Sequence, residues 1–88
     1  MTNENKTDEQ ILRHKLKARL LYENNIPAHV TTNSDYWLNG YITYFDSEKK
    51  YIKLLDRKLG EKMVFYEEIK VIIDFDGDYS TLPTMEGK

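Results

Sequence analysis

The sequence predicts a mostly β protein: an N-terminal α-helix followed by a five-stranded, strongly bent antiparallel small barrel. Three observations lead there. Apolar residues near the N-terminus recur at helical spacing, those from Ala28 onward alternate with a period of two, and turn-forming residues cut the alternating part into five short runs. A chain of 88 residues has room for one core. Strands so short and so closely spaced curl on themselves rather than spread as a flat sheet.

The helix is expected from about Asp8 to Tyr22. Thr7 followed by Gln10 is a capping-box arrangement, in which the hydroxyl accepts a backbone N–H and the amide reaches back. Leu12, Leu16 and Leu20, with Ile11 beside them, form one apolar stripe, assigned to the core. Arg13 and Lys17, with His14 nearby, are assigned to the opposite, exposed side. Asn24 and Asn25 end the helix because Asn tolerates left-handed backbone, and Pro27 forces an extended restart.

Ala28, Val30 and Thr32 then alternate with His29 and Thr31 as a first strand, and Asn33-Ser34-Asp35 is a turn by composition. Tyr36 to Phe45 is a longer strand rich in aromatic and β-branched residues. Its Gly40 marks a sharp bend or a close backbone approach. A charged loop, Asp46 to Lys50, leads to a third strand, Tyr51 to Leu55. Arg57 to Gly60 is the turn into a fourth strand, Lys62 to Tyr66. Glu67-Glu68 connects to a fifth, Ile69 to Phe75, whose Val71-Ile72-Ile73 run implies burial on both faces. The expected organisation is a flexible leader over 1–7, a domain over 8–75 and a flexible acidic tail over 76–88.

Composition narrows the function classes. The absence of Cys excludes disulfides and thiolate metal sites, so oligomerisation is the expected extra source of stability for so small a core. No apolar stretch approaches the roughly 20 residues that span a bilayer, and the polar start does not resemble a signal peptide. No membrane association is expected, and a cytoplasmic location is. The net charge of −2 is unevenly spread: Arg13, Lys15, Lys17 and Arg19 make the helix basic, while Asp74, Asp76, Asp78 and Glu86 make the C-terminal end acidic.

Catalytic chemistry finds no support. His14 and His29 have no carboxylates at metal-site spacing, and Asp74-Phe75-Asp76-Gly77-Asp78 lacks the ligand spacing and distal Glu of a calcium loop. Neither a nucleophile motif nor a phosphate-binding Gly loop is present. A non-enzyme is expected, with no metal, cofactor or small-molecule substrate.

SH3-like barrels, OB-folds and Sm folds share this inventory of elements; a leading helix and a long bent second strand favour the last. Gly40, Ile42, Phe45 and Asp46 fall on the positions of the first Sm motif, and Ile52 with Leu54 supply the apolar strand that follows it. Ile26-Pro27-Ala28-His29-Val30 looks like the lead-in to the first Hfq strand, and Val64-Phe65-Tyr66 like the aromatic end of its fourth. Over about Ile11 to Ile73 the chain therefore resembles the Sm-like (Lsm/Hfq-type) family.

The resemblance implies a homo-oligomeric ring, hexamer or heptamer, in which strand four of one subunit pairs with strand five of the next. Met63, Phe65 and Val71 to Ile73 would serve both core and interface. It implies RNA as partner and a role as RNA chaperone or regulator. Lys49 and Lys50, after the motif residue Asp46, would bring positive charge near the pore, and Arg13, Lys17 and His14 would add a basic annulus. Tyr36 and Asn39 match residues that hold purine-rich RNA; because Trp37 adjoins Tyr36, strand alternation is expected to bury one of that pair.

The chain also departs from the family. Glu48 and Lys50 stand where a base-stacking side chain and an Asn are usual, and Glu67-Glu68 where an Arg-Gly or Lys-His pair brings positive charge. Carboxylates there repel phosphate. The alternative expectation is thus a ring-forming protein-interaction scaffold on the same fold that has lost RNA binding.

Overall fold

Alternation decides which side chains meet. In the computed structural model, which describes residues 8–83, helix α1 (Asp8–Glu23) precedes β1 (Ala28–Thr32), β2 (Trp37–Tyr44), β3 (Tyr51–Asp56), β4 (Gly60–Phe65) and β5 (Ile69–Asp74). Thr7 and its capping box lie outside the described residues. The strands form one antiparallel sheet in the order β4-β3-β2-β1-β5. One face of each strand is buried: Ala28 and Val30 from β1, Leu38 and Ile42 from β2, Ile52 and Leu54 from β3, Val64 from β4, Ile69 and Ile72 from β5. Ala18 and Leu21 close this core from the helix.

The helix stops where Asn25 adopts left-handed backbone at φ 55°, with the Ile26 N–H donating to the Leu21 carbonyl at 2.9 Å. Its orientation differs from the sequence expectation. Leu12, Leu16 and Leu20 are each about half exposed, while Ala18 and Leu21 are buried and Ile11 packs against the core. At 3.6 residues per turn, Leu16 lies about 200° around the helix from Ala18. The helix carries two apolar stripes, and the one with the small Ala18 faces the sheet because it permits close approach. Lys17, expected on the exposed side, turns toward the sheet and meets Asp74 of β5 at 2.7 Å.

Gly40 of the long second strand marks a close backbone approach. A side chain at Gly40 would overlap the Leu55 carbonyl oxygen, so only glycine permits the β2–β3 approach. A bulge between Ile42 and Tyr44 adds a second irregularity, and another between Thr31 and Thr32 shifts the β1–β5 register.

Of the run Val71-Ile72-Ile73, only Ile72 is buried; Val71 is 41% and Ile73 47% exposed. The expected two-face burial is not found: β5 is an edge strand, and among the described residues the core takes only Ile69 and Ile72 from it. The opposite edge, β4, exposes Met63 and Phe65 at 49% and 41%. Among the described residues β4 and β5 are not paired with each other, so the single chain is an open sheet with two apolar edges.

The segment expected as a flexible acidic tail includes a short turn and a buried residue. Tyr79–Thr81 form a 3-10 turn capped by the Asp78 carboxylate, which accepts from the Ser80 N–H at 2.9 Å, and Leu82 is buried. Residues 84–88, like 1–7, lie outside the described part. No helix among the described residues is long and apolar enough to cross a membrane.

Candidate nucleic-acid interface

The loop between β2 and β3 is built by Asp46. Its carboxylate accepts the Glu48 N–H at 2.9 Å and the Tyr44 hydroxyl at 3.3 Å, and its carbonyl accepts the Lys49 N–H at 3.0 Å. Asp46 thus has a geometric role: it folds the loop that presents Lys49 and Lys50. The Lys50 carbonyl then accepts the Tyr66 N–H at 2.9 Å, docking this loop onto the 3-10 turn Tyr66–Glu68 after β4.

The docking leaves a recess of about 310 Å³ lined by Asp8, Ile11, Lys49, Lys50, Tyr66 and Glu67. Tyr66 is only 2% exposed, and its hydroxyl has no hydrogen-bond partner among the described residues. Burial, and then the nearby Asp46 carboxylate, push the phenol up to about 12, so it remains a neutral donor at physiological pH. A buried hydroxyl without a partner is uncommon because it forfeits the hydrogen bonds it made in water. Tyr66 and the two lysines line the recess, while the hydroxyl itself is sealed from solvent. Glu67 opposes them with a carboxylate, as its sequence position implied. Both Glu67 and Glu68 are exposed, and their carbonyls accept from the Asn33 side chain and N–H at 3.0 and 2.8 Å.

The helix cations are less available than expected. Arg13 is exposed but paired with Glu9 at 2.8 Å, and Lys17 is held by Asp74, so the two do not form an unpaired basic face.

A second concave region lies against β1 and β2. Tyr36 is 47% and Trp37 65% exposed, so neither is core. The expectation that one of them is buried fails because Tyr36 belongs to the turn before β2, and the first inward residue is Leu38. Trp37 and Asn39 share the outer face with His29 of β1; His29 Nδ1 and Asn39 Oδ1 lie 2.6 Å apart, and the His29 and Trp37 rings are 6.3 Å apart. At the end of β3, the Asp56 carboxylate accepts the N–H groups of Asn39, Lys58 and Leu59 at 2.7, 2.8 and 2.8 Å. Burial raises the Asp56 pKa, but these N–H donors and the Arg57 charge outweigh it and hold the carboxyl below the ordinary aspartate value. That cap fixes the turn carrying Arg57, whose guanidinium lies 5.5 Å from the Phe75 ring centre and donates to the Thr81 hydroxyl at 3.1 Å.

The structure therefore brings Lys49 and Lys50 together in one recess, and Asn39 into another with Trp37. Sequence reasoning missed Tyr66 and Arg57 as site residues. Tyr66 was legible only as a strand-end aromatic and Arg57 only as a turn cation, since both contacts join segments distant in sequence. Among the described residues no cluster of three His, Asp or Glu side chains could hold a metal ion. No model of a known protein family matches the chain, and no curated protein matches it.

Proposed function

We propose that the protein is an Sm-like ring subunit that binds RNA, acting as an RNA chaperone or regulator rather than a catalyst. The observation that carries this reading is the pair of open sheet edges, β4 with Met63 and Phe65 and β5 with Val71 and Ile73 exposed. Exposed apolar edge strands are aggregation sites unless something pairs with them. Two different edges on one chain make a head-to-tail contact, which forms a closed ring when its rotation closes. Closure would complete each curved sheet as a barrel and leave no strand edge free. Six or seven copies are the expected number from the family resemblance.

RNA is the partner the recess chemistry supports. In a ring, the recess lined by Lys49 and Lys50 would repeat once per subunit and bring its lysines to phosphates. The competing reading, an interaction scaffold without RNA, draws on the exposed Leu12, Leu16 and Leu20 stripe and on Glu67 beside the lysines. A salt-dependent titration of labelled single-stranded RNA separates the two. Binding that weakens with salt, and falls at least tenfold in Lys49→Ala/Lys50→Ala, supports the RNA reading. Wild-type affinity in that variant defeats the recess assignment, and no binding at low salt favours the scaffold.

A further inference from the structure

Trp37 is 65% exposed, and no large apolar side chain among the described residues is more so. On the β1–β5 side it borders a recess of about 460 Å³ whose lining includes Ile73, Phe75 and the carboxylates Asp74 and Asp76. On the β3–β4 side it borders a second recess, about 300 Å³, lined also by Asp56, Lys58 and Leu59. Arg57 lines both. Most of these charges are already engaged. Lys17 meets Asp74 at 2.7 Å, and three backbone N–H groups occupy the buried Asp56 carboxylate. Arg57 lies against the Phe75 ring and donates to the Thr81 hydroxyl. Asp76 on one side and Lys58 on the other are exposed, and neither forms a salt bridge among the described residues.

We propose that this face docks a second copy of the protein, so that two rings join through their Trp37 surfaces. The inference rests on the ring reading above and adds a contact between rings to the contacts within one. Its basis is that the face is complementary to itself. A two-fold axis lying in the interface and passing by Trp37 sets each indole against its counterpart. The same rotation lays the carboxylate side of one copy over the ammonium side of the other, so Asp76 of each meets Lys58 of the other. A face with like charges on both sides of Trp37 would repel its own copy; this one attracts it. Leu59, 55% exposed on the Lys58 side, then faces the hollow beside Ile73 and Phe75 of the other copy. Tryptophan is the side chain from which a small contact gains most, because its large apolar ring leaves water on docking. Exposed ion pairs add little strength, so rings join reversibly as concentration rises and the single ring persists in the micromolar range. Repetition around the ring makes so small a contact measurable.

Trp37 is the sole tryptophan of the chain, so its emission reports on this face alone. The test follows the nuclease-treated full-length protein by sedimentation velocity, from micromolar to several hundred micromolar, with tryptophan emission recorded across the same series. The sedimentation coefficient should rise from that of one ring to that of two. The emission should shift to the blue in step, and added salt should oppose both changes. Trp37→Ala should remain a single ring throughout. Lys58→Asp, which sets a carboxylate against Asp76, should weaken the pairing at least about tenfold, and Lys58→Asp/Asp76→Lys should restore it. Circular dichroism confirms that the variants fold. Single rings at every concentration would overturn the docking and leave the ring reading standing. Paired rings that persist in Trp37→Ala, or a charge swap that fails to restore them, would also overturn it. Two-chain dimers lost in Trp37→Ala would uphold the docking and defeat the ring, and monomers throughout would defeat both.

Discussion

Gly40 lies so close to the Leu55 carbonyl oxygen that any side chain at that position would overlap it. The contact sets the β2–β3 approach. The obstructing atom is backbone, so relief requires moving a strand. Gly40→Ala should destabilise the protein by about 3 kcal/mol, at the upper end of overpacking effects. Gly60→Ala is the comparison: φ is +81° there with open space around it, and the change should cost only about 1 kcal/mol. Urea unfolding of the two variants measures both.

The outward Leu stripe separates the structure from the sequence pattern. Leu16→Ala, at a position 52% exposed, should change stability by less than about 1 kcal/mol, whereas Leu21→Ala, at a position 1% exposed, should cost about 3 kcal/mol. Equal losses in thermal or urea unfolding would mean that the helix packs through the Leu12–Leu16–Leu20 side instead.

Tyr66 should show the cost of an unpartnered buried hydroxyl. Removing its unpartnered buried hydroxyl in Tyr66→Phe should stabilise the free protein by about 1 kcal/mol at neutral pH. The wild type also has an alkaline signature. Its phenol is raised from 10.0 to about 12, so the folded state holds the proton more tightly. The associated stability is complete below pH 10, and it is lost as the pH rises through about 12. Urea midpoints across that range should fall less steeply in Tyr66→Phe.

Asp56 gives the opposite dependence. Its folded pKa is depressed below 3.8, so its contribution is present above that value and lost as the pH falls through the lower folded value. Asp56→Asn keeps an acceptor but turns an NH₂ toward backbone donors. It should cost about 2 kcal/mol at neutral pH and flatten the acid limb of the stability profile.

Much of the fold was legible because local signals agreed. Ala28, Val30 and Thr32 alternate as they fold, Asn25 takes the left-handed position at the helix end, and Gly40 marks a close approach. What was misread depends on neighbours that a linear pattern does not contain. Two apolar stripes on one helix satisfy the same periodicity, and only packing against the sheet selects Ala18 and Leu21 over the leucines. Val71 and Ile73 read as doubly buried because their apolar character fits a covered strand, whereas both are exposed on the edge strand β5. The site was partly legible for the same reason. Lys49 and Lys50 are adjacent in sequence, whereas Tyr66 joins their recess only through the docking of two loops.

The open edges carry the central claim, and native mass spectrometry of the full-length protein purified without nuclease tests it most directly. The account predicts a closed hexamer or heptamer with nucleic acid mass retained, and dissociation to folded monomers in Ile73→Lys, whose site is 47% exposed in a single copy. A wild-type monomer at micromolar concentration would contradict the ring, and the two apolar edges would then need another explanation.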